Sequence, residues 1–409
     1  MGFSVEQECP QCGAPIELDE ADHLLHCPYC DVNSFLFTNN YFRYVLPEKA
    51  SDRDTIYAPY LRFKGAAYFC KGLKIGHRIV DITHTGLKLN NIPVSLGLRP
   101  QAMKMKFITP DIKGSFLRFS LKASDILARA GKFSSGTSSE KILHKAFIGE
   151  TMSLIYLPLY LEGGRLFDGV LNRPIATLTR EGRENLESAI IKNPRWRIRF
   201  IPTLCPECGW NLEGERDSVV LACHNCHTAW EAQEGKFARV NLSVVPGQDG
   251  NSVYLPFWKI YARTKGVKID SFSDFIRLTN QPRVIDDELK EEDMSFWSPA
   301  FKIRPKLFLN LSRQFTISQK RFLEEEAMPE KNIYPVTLPL SEAFQALKII
   351  LAGSSVNKKN VFPYLPGISF EIKNSKLVYL PFTETAHDMI QQDMGISVNK
   401  RSLEFGSKL

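Results

Sequence analysis

The chain has 409 residues, 44% of them hydrophobic and 24% charged, which excludes an intrinsically disordered protein and gives room for two or three domains. Its formal net charge is +7, and no apolar run approaches the roughly 18 residues that a membrane-spanning helix needs. Nine cysteines in a chain with so large a core need not be staples, and eight of them fall into two compact groups.

The first element is a cysteine module over residues 1–42. It reads Cys9-Pro10-Gln11-Cys12-Gly13, then thirteen residues, then Cys27-Pro28-Tyr29-Cys30. Two residues between cysteines let one tight turn present two sulfurs to one ion. Pro10 sets φ for that turn, and Gly13 takes a positive-φ position. The intervening stretch is long enough for a hairpin that brings the second pair opposite the first. The module holds no Lys or Arg and seven acids: Glu6, Glu8, Glu17, Asp19, Glu20, Asp22 and Asp31. Met1-Gly2-Phe3 turns acidic at once and carries neither a secretory leader nor a myristoylation pattern, which predicts a cytoplasmic protein.

A basic body follows over residues 43–202, with 27 basic and 13 acidic residues. Aromatic and β-branched residues predict strands around Tyr57-Ala58-Pro59, Met105–Pro110 and Tyr156-Leu157-Pro158. Proline confines such motifs to a strand edge, a bulge or a first residue. Cys70, in an apolar-aromatic stretch, reads as a buried, inert thiol. Asp81 and His84 stand three apart in a strand and point to opposite faces, which argues against a dyad. Ser139-Glu140 leading into Ile142, Leu143, Ala146 and Phe147 predicts a helix, and Gly163-Gly164 a hairpin turn. Lys192–Phe200 interleaves cations with aromatics, as single-strand nucleic-acid binders do. It equally describes an amphipathic strand with a solvated face, or one that docks an acidic ribbon.

The second module, residues 203–236, repeats the first: Cys205-Pro206-Glu207-Cys208-Gly209, thirteen residues, then Cys223-His224-Asn225-Cys226. It too is acidic. The second body, residues 237–409, carries Tyr254-Leu255-Pro256, Met294–Pro299, a predicted helix from Ser341-Glu342 through Ile350 that Gly353 stops, and Tyr379-Leu380-Pro381. The motifs recur in the order of the first half. An α+β, strand-rich, internally duplicated chain is predicted, each half a four-cysteine ribbon plus a β-dominated body with a few helices.

Over about 25 residues each, both modules resemble the zinc-ribbon and rubredoxin-like knuckle families. The resemblance implies two structural sites with ligands Cys9, Cys12, Cys27, Cys30 and Cys205, Cys208, Cys223, Cys226. Four thiolates with no open position suit zinc, two ions per chain, whereas a rubredoxin-like iron centre uses the same knuckles. His26, His224 and His227 flank these ligands without being needed. No phosphate-binding loop, nucleophile elbow, zinc-protease helix or dinucleotide fingerprint is present. The function expected is therefore a non-enzymatic adaptor or assembly subunit that binds protein partners, with acidic ribbons offering Leu24, Leu25 and Tyr29 for docking. The alternatives are a nucleic-acid-binding protein using the basic first body, with weak affinity because the ribbons repel phosphate, and an iron-based electron carrier.

Overall fold

All four Tyr-x-Pro motifs lie inside strands in the computed structural model, which describes residues 2–49, 53–89, 91–132, 141–191, 194, 196–247, 252–287, 289, 292–329 and 332–406. The protein is strand-rich α+β with several sheets. It divides into two units: Met1–Lys64, Val80–Ser138 and Thr151–Pro202 form the first, and Gly65–Ile79, Ser139–Glu150 and Thr203–Leu409 the second. Among the described residues no helix is long and apolar enough to cross a membrane.

In chain order the first strands are β1 (Ser4–Glu8), β2 (Pro15–Asp19), β3 (Leu24–His26), β4 (Asn33–Phe37), β5 (Phe42–Val45), β6 (Thr55–Lys71) and β7 (Lys74–Thr85). They continue with β8 (Met105–Phe107), β9 (Ser115–Phe116), β10 (Ile142–Glu162), β11 (Arg165–Asp168), β12 (Arg173–Thr177) and β13 (Arg199–Pro202). A ten-stranded sheet runs β12-β11-β10-β5-β8-β1-β2, and β6 pairs with β10, β7 and β9. Its registers matter below. Tyr156 lies opposite Val45 in a parallel pair, Val45 opposite Lys106 in an antiparallel one, and Tyr57 opposite Phe116 in a parallel one. A helix at Arg180–Ser188 follows β12, capped by the Thr179 hydroxyl, which accepts the Gly182 N–H.

The second unit adds β14 (Val220–Cys223), β15 (Thr228–Gln233), β16 (Lys236–Val240), β17 (Leu242–Val244), β18 (Ser252–Lys265), β19 (Ser295–Pro299), β20 (Ser369–Glu384), β21 (Asp388–Gln391) and β22 (Ile396–Asn399). Its sheet runs β19-β18-β20-β21-β22, with β17 parallel on β20 so that Val244 faces Tyr379. Isolated bridges join Val244 to Glu325 antiparallel and Tyr254 to Ile333 parallel. Trp258, Phe257, Phe296 and Trp297 are each at most 1% exposed at the centre of the unit's core. Residues from the first half of the sequence complete that core: Tyr68, Cys70, Ala146 and Ile148 belong to it. Burial pushes the Cys70 thiol up to about 12, as an inert core cysteine requires.

Three expectations are corrected. Ile142–Phe147 is not helical but opens β10; Ser139-Glu140 lies outside the described residues. Burial there alternates, with Ala146 and Ile148 buried and Phe147 between them only partly so, the period of a strand. The four prolines sit in strand interiors rather than at first residues. Three lie where a neighbouring strand runs out, because Gly86, Gly169 and Ala300, each just past the end of β7, β11 or β19, donate N–H to the carbonyls of Pro59, Pro158 and Pro256. Met105–Pro110 and Met294–Pro299 take different places, since β8 pairs with β5 and β1 whereas β19 pairs with β18. The helices Leu340–Gln345 and Leu347–Ser354 match the helix expected in the second half, although Gly353 lies within the last turn. Gly163 and Gly164 have φ of 56° and 81° between β10 and β11, as a hairpin turn requires.

Candidate metal centres

Each ribbon is built from turns that aim cysteines at one point. Cys9 and Cys12 close the β1–β2 hairpin, and Cys27 and Cys30 close β3–β4. In the first turn Cys9 N–H donates to Ala14 O at 2.8 Å and Gly13 N–H to Cys9 O at 2.9 Å; in the second ribbon Cys205 N–H donates to Trp210 O at 2.7 Å and Gly209 N–H to Cys205 O at 2.9 Å. Gly13 and Gly209 both have φ of 75°, and a Cβ at either would meet nothing within 4 Å. Glycine is needed there for its backbone, not for space. The other knuckles match as well, with positive φ at Asp31 (58°) and His227 (55°), each immediately after the last cysteine.

Cys9, Cys12, Cys27 and Cys30 form one group and Cys205, Cys208, Cys223 and Cys226 another, with all ligand atoms of a group within 4.8 Å of one another. Cys9 and Cys30 Sγ are 3.7 Å apart, Cys12 and Cys27 3.6 Å, Cys205 and Cys226 3.6 Å, Cys208 and Cys223 3.4 Å. Sulfurs bound at about 2.3 Å in a tetrahedron lie about 3.8 Å from one another, so both groups fit a four-thiolate ion. Among the described residues these are the groups that could hold a metal ion. The backbone N–H of Cys12 leads the causes that bring Cys9 down to about 6. At Cys205 burial opposes ionisation, but the N–H groups of Cys208 and Glu207 still bring it to about 6. Desolvation pushes Cys30 and Cys223 up to about 12. Zinc takes cysteine as thiolate, so loading a metal would expel protons from each group.

The flanking histidines face other partners. His26 Nδ1 lies 2.9 Å from Asn33 Oδ1, His224 Nε2 lies 3.7 Å from Glu213, and His227 Nδ1 accepts Met328 N–H at 3.2 Å. A residue that the sequence reading passed over sits at the second group. Thr228 Oγ1 is 3.1 Å from Cys226 Sγ and accepts Trp230 Nε1–H at 2.8 Å. Its only sequence signal was a hydroxyl two positions past a ligand.

The described end of the basic-aromatic run, from Arg199, lies against the first ribbon. β13 pairs with β4, Arg199 lies 5.3 Å over the Phe37 ring, and Arg199 Nη2 donates to Asn39 Oδ1 at 3.1 Å. Trp196 packs 5.3 Å from Phe116 and 5.5 Å from Tyr156, with Arg43 stacked 4.7 Å over it. Lys192, Asn193 and Arg195 lie outside the described residues. A second link was also missed. Arg62, 1% exposed, forks onto Glu20 at 2.8 and 3.1 Å and also bonds Asp81. Asp81 is thereby tied to Arg62, while His84 Nδ1 meets Thr85 O at 2.8 Å. Of the apolar residues expected for docking, Leu24 and Leu25 are buried, Leu25 within the first unit's core, whereas Tyr29 is 70% exposed. Trp210, beside the first knuckle of the second ribbon, is 58% exposed.

Comparison with protein-family models, with curated proteins and with solved structures finds no match to this chain.

Proposed function

We propose that this protein is a non-enzymatic adaptor or assembly subunit, cytoplasmic, carrying two structural zinc ribbons. The observation that carries the reading is the closed geometry of the two four-sulfur groups. Cys9, Cys12, Cys27 and Cys30 would hold one ion and Cys205, Cys208, Cys223 and Cys226 the other. Bound there, zinc supplies a cross-link between hairpins and no open position for a reacting water. Eight reduced thiols suit a reducing compartment. Tyr29 and Trp210 give each ribbon an exposed aromatic beside a knuckle, the kind of side chain that anchors protein interfaces.

The two halves are read as copies of one unit. Paired contacts support this in identical order along the chain. Val45 and Val244 each lie parallel to a tyrosine of a Tyr-Leu-Pro strand, Tyr156 or Tyr379, whose carbonyl accepts the N–H of Leu46 or Val245. The same valines pair antiparallel with Lys106 and Glu325. Tyr57 O accepts Leu117 N–H and Tyr254 O accepts Tyr334 N–H. In this alignment β7 corresponds to β19, and Met105–Phe107 to the segment around Glu325.

Elemental analysis of the purified chain tests the metal reading: two zinc ions and no colour are expected, whereas iron with visible charge-transfer bands would favour the electron carrier. Quantitative co-purification from the native host tests the adaptor reading. Tyr29→Ala and Trp210→Ala should each retain two zinc ions and lose defined protein partners; an unchanged partner set in both would overturn it.

A further inference from the structure

Resting on the zinc-ribbon reading, we propose that the two sites are unequal: Thr228, oriented by Trp230, donates a hydrogen bond to the Cys226 thiolate of the second site, and the first site surrenders its ion first. Thr228 is 3% exposed and opens β15, with its Oγ1 3.1 Å from Cys226 Sγ and 3.8 Å from Cys205 Sγ. A hydroxyl has one hydrogen. Because Thr228 Oγ1 accepts the indole Nε1–H of Trp230 at 2.8 Å, its own hydrogen remains for sulfur, and the shorter distance selects Cys226. Trp230 is itself buried at 7% exposure, so the chain indole–hydroxyl–sulfur is fixed by packing. A donor to an anionic sulfur stabilises and orients the ligand.

The first site lacks this device. Two residues past Cys30 stands Val32, and four past it Ser34, where the second site has Thr228 and Trp230. The second knuckles also differ in anchorage. His227, next to Cys226, accepts the Met328 N–H at 3.2 Å, whereas its counterpart Asp31 has a side chain 96% exposed and only a 3.9 Å approach to His26. Opening the second site therefore breaks the Thr228 and His227 contacts, which have no counterpart at Val32 and Asp31 in the first. One chain then carries a resident ion and an exchangeable one, and a chelator or a competing metal would address the N-terminal ribbon selectively.

The test uses the full chain. Elemental analysis first establishes two zinc ions per chain; fewer than two would sink the zinc-ribbon reading before the present proposal is reached. Excess EDTA is then added, samples are quenched with N-ethylmaleimide, and labelled cysteines are mapped by peptide mass spectrometry. Cys9, Cys12, Cys27 and Cys30 should label first, with the second set about 10–100-fold slower, the usual worth of an outer hydrogen-bonding partner. The double variant Thr228→Val with Trp230→Phe, which leaves no orphaned indole N–H, should bring the second set to the rate of the first or abolish its zinc. Thr228→Ser alone keeps the hydroxyl and its indole donor and should stay slow, whereas Trp230→Phe alone keeps the hydroxyl without its orientation and should fall between the native chain and the double variant. Simultaneous labelling of both sets in the native chain, earlier labelling of the second set, or a double variant as slow as the native chain would each overturn the proposal. Equal acceleration by Thr228→Ser and by the double variant would do so as well.

Discussion

Arg62 and Glu20 form an ion pair in which both side chains are at most 3% exposed, so neither charge has water to fall back on. Such pairs are stable only as a set, and removing one partner costs about 3–5 kcal/mol. Arg62→Met should therefore lose about that much in urea unfolding. Arg62→Met combined with Glu20→Gln should recover a large part, and equal losses in both would contradict the buried-pair account. Glu150 makes a prediction about pH. Burial, helped by the nearby Glu342, raises its carboxyl from 4.5 to about 7, and Glu342 accepts the N–H groups of Gly149 and Glu150. Between those values the folded chain holds a proton that the unfolded chain has lost. Stability from protonated Glu150 is fully present below about pH 4.5 and fades as pH rises through about 7, by about 3 kcal/mol at most. Glu150→Gln should become progressively more stable than the native chain across that window. A difference that stays flat with pH, followed by thermal denaturation, would count against it.

The turns and strands show which elements the sequence discloses. Knuckles were legible because their chemistry is local: Cys-Pro-x-Cys-Gly dictates a turn, and the turn dictates where sulfur points. Gly13→Ala meets no atom, so its cost is that of a left-handed backbone, about 1 kcal/mol. Gly65→Ala differs, since its Cβ would stand 2.9 Å from Glu150 Cα on a neighbouring strand, and overpacking costs about 1–3 kcal/mol. Melting curves of the two variants should therefore rank Gly65→Ala as the more damaging. Cys27→Ser should unfold the first ribbon and spare the second, seen as the loss of one zinc of two. The β10 opening was misread for a physical reason. Ile142, Leu143, Ala146 and Phe147 satisfy a helical stripe, but partners distant in sequence impose an extended chain, and short apolar runs do not distinguish the two. The Arg62–Glu20 pair was silent, since it joins residues 42 apart through an approach that only the folded chain creates, whereas Thr228 and Trp230, two apart in β15, share a face that the sequence permits but does not single out.

At the scale of the whole molecule the net charge of +7 would suggest affinity for phosphate backbones. Yet Arg199 is occupied by the first ribbon, and the ribbons are acidic. Binding to single-stranded DNA should be weak and fall steeply with salt in gel shifts at two ionic strengths; tight, sequence-selective binding at physiological salt would overturn the adaptor reading. The make-up of the second unit bears on how the protein is born. Residues 65–79 and 139–150 belong to it, but the rest of that unit begins only at residue 203. A ribosome delivers about 5–20 residues per second, so Tyr68, Cys70 and Ile148 wait for roughly 13–68 seconds before the whole of their unit has emerged. During that interval apolar side chains destined for a core stand in water, a period in which a chaperone would find a client. The same arithmetic makes the nascent chain indivisible at residue 202. Fragments 1–202 and 203–409 should precipitate when expressed apart and become soluble when synthesised together, because the second lacks Tyr68, Cys70, Ala146 and Ile148 from its core and the first leaves them uncovered.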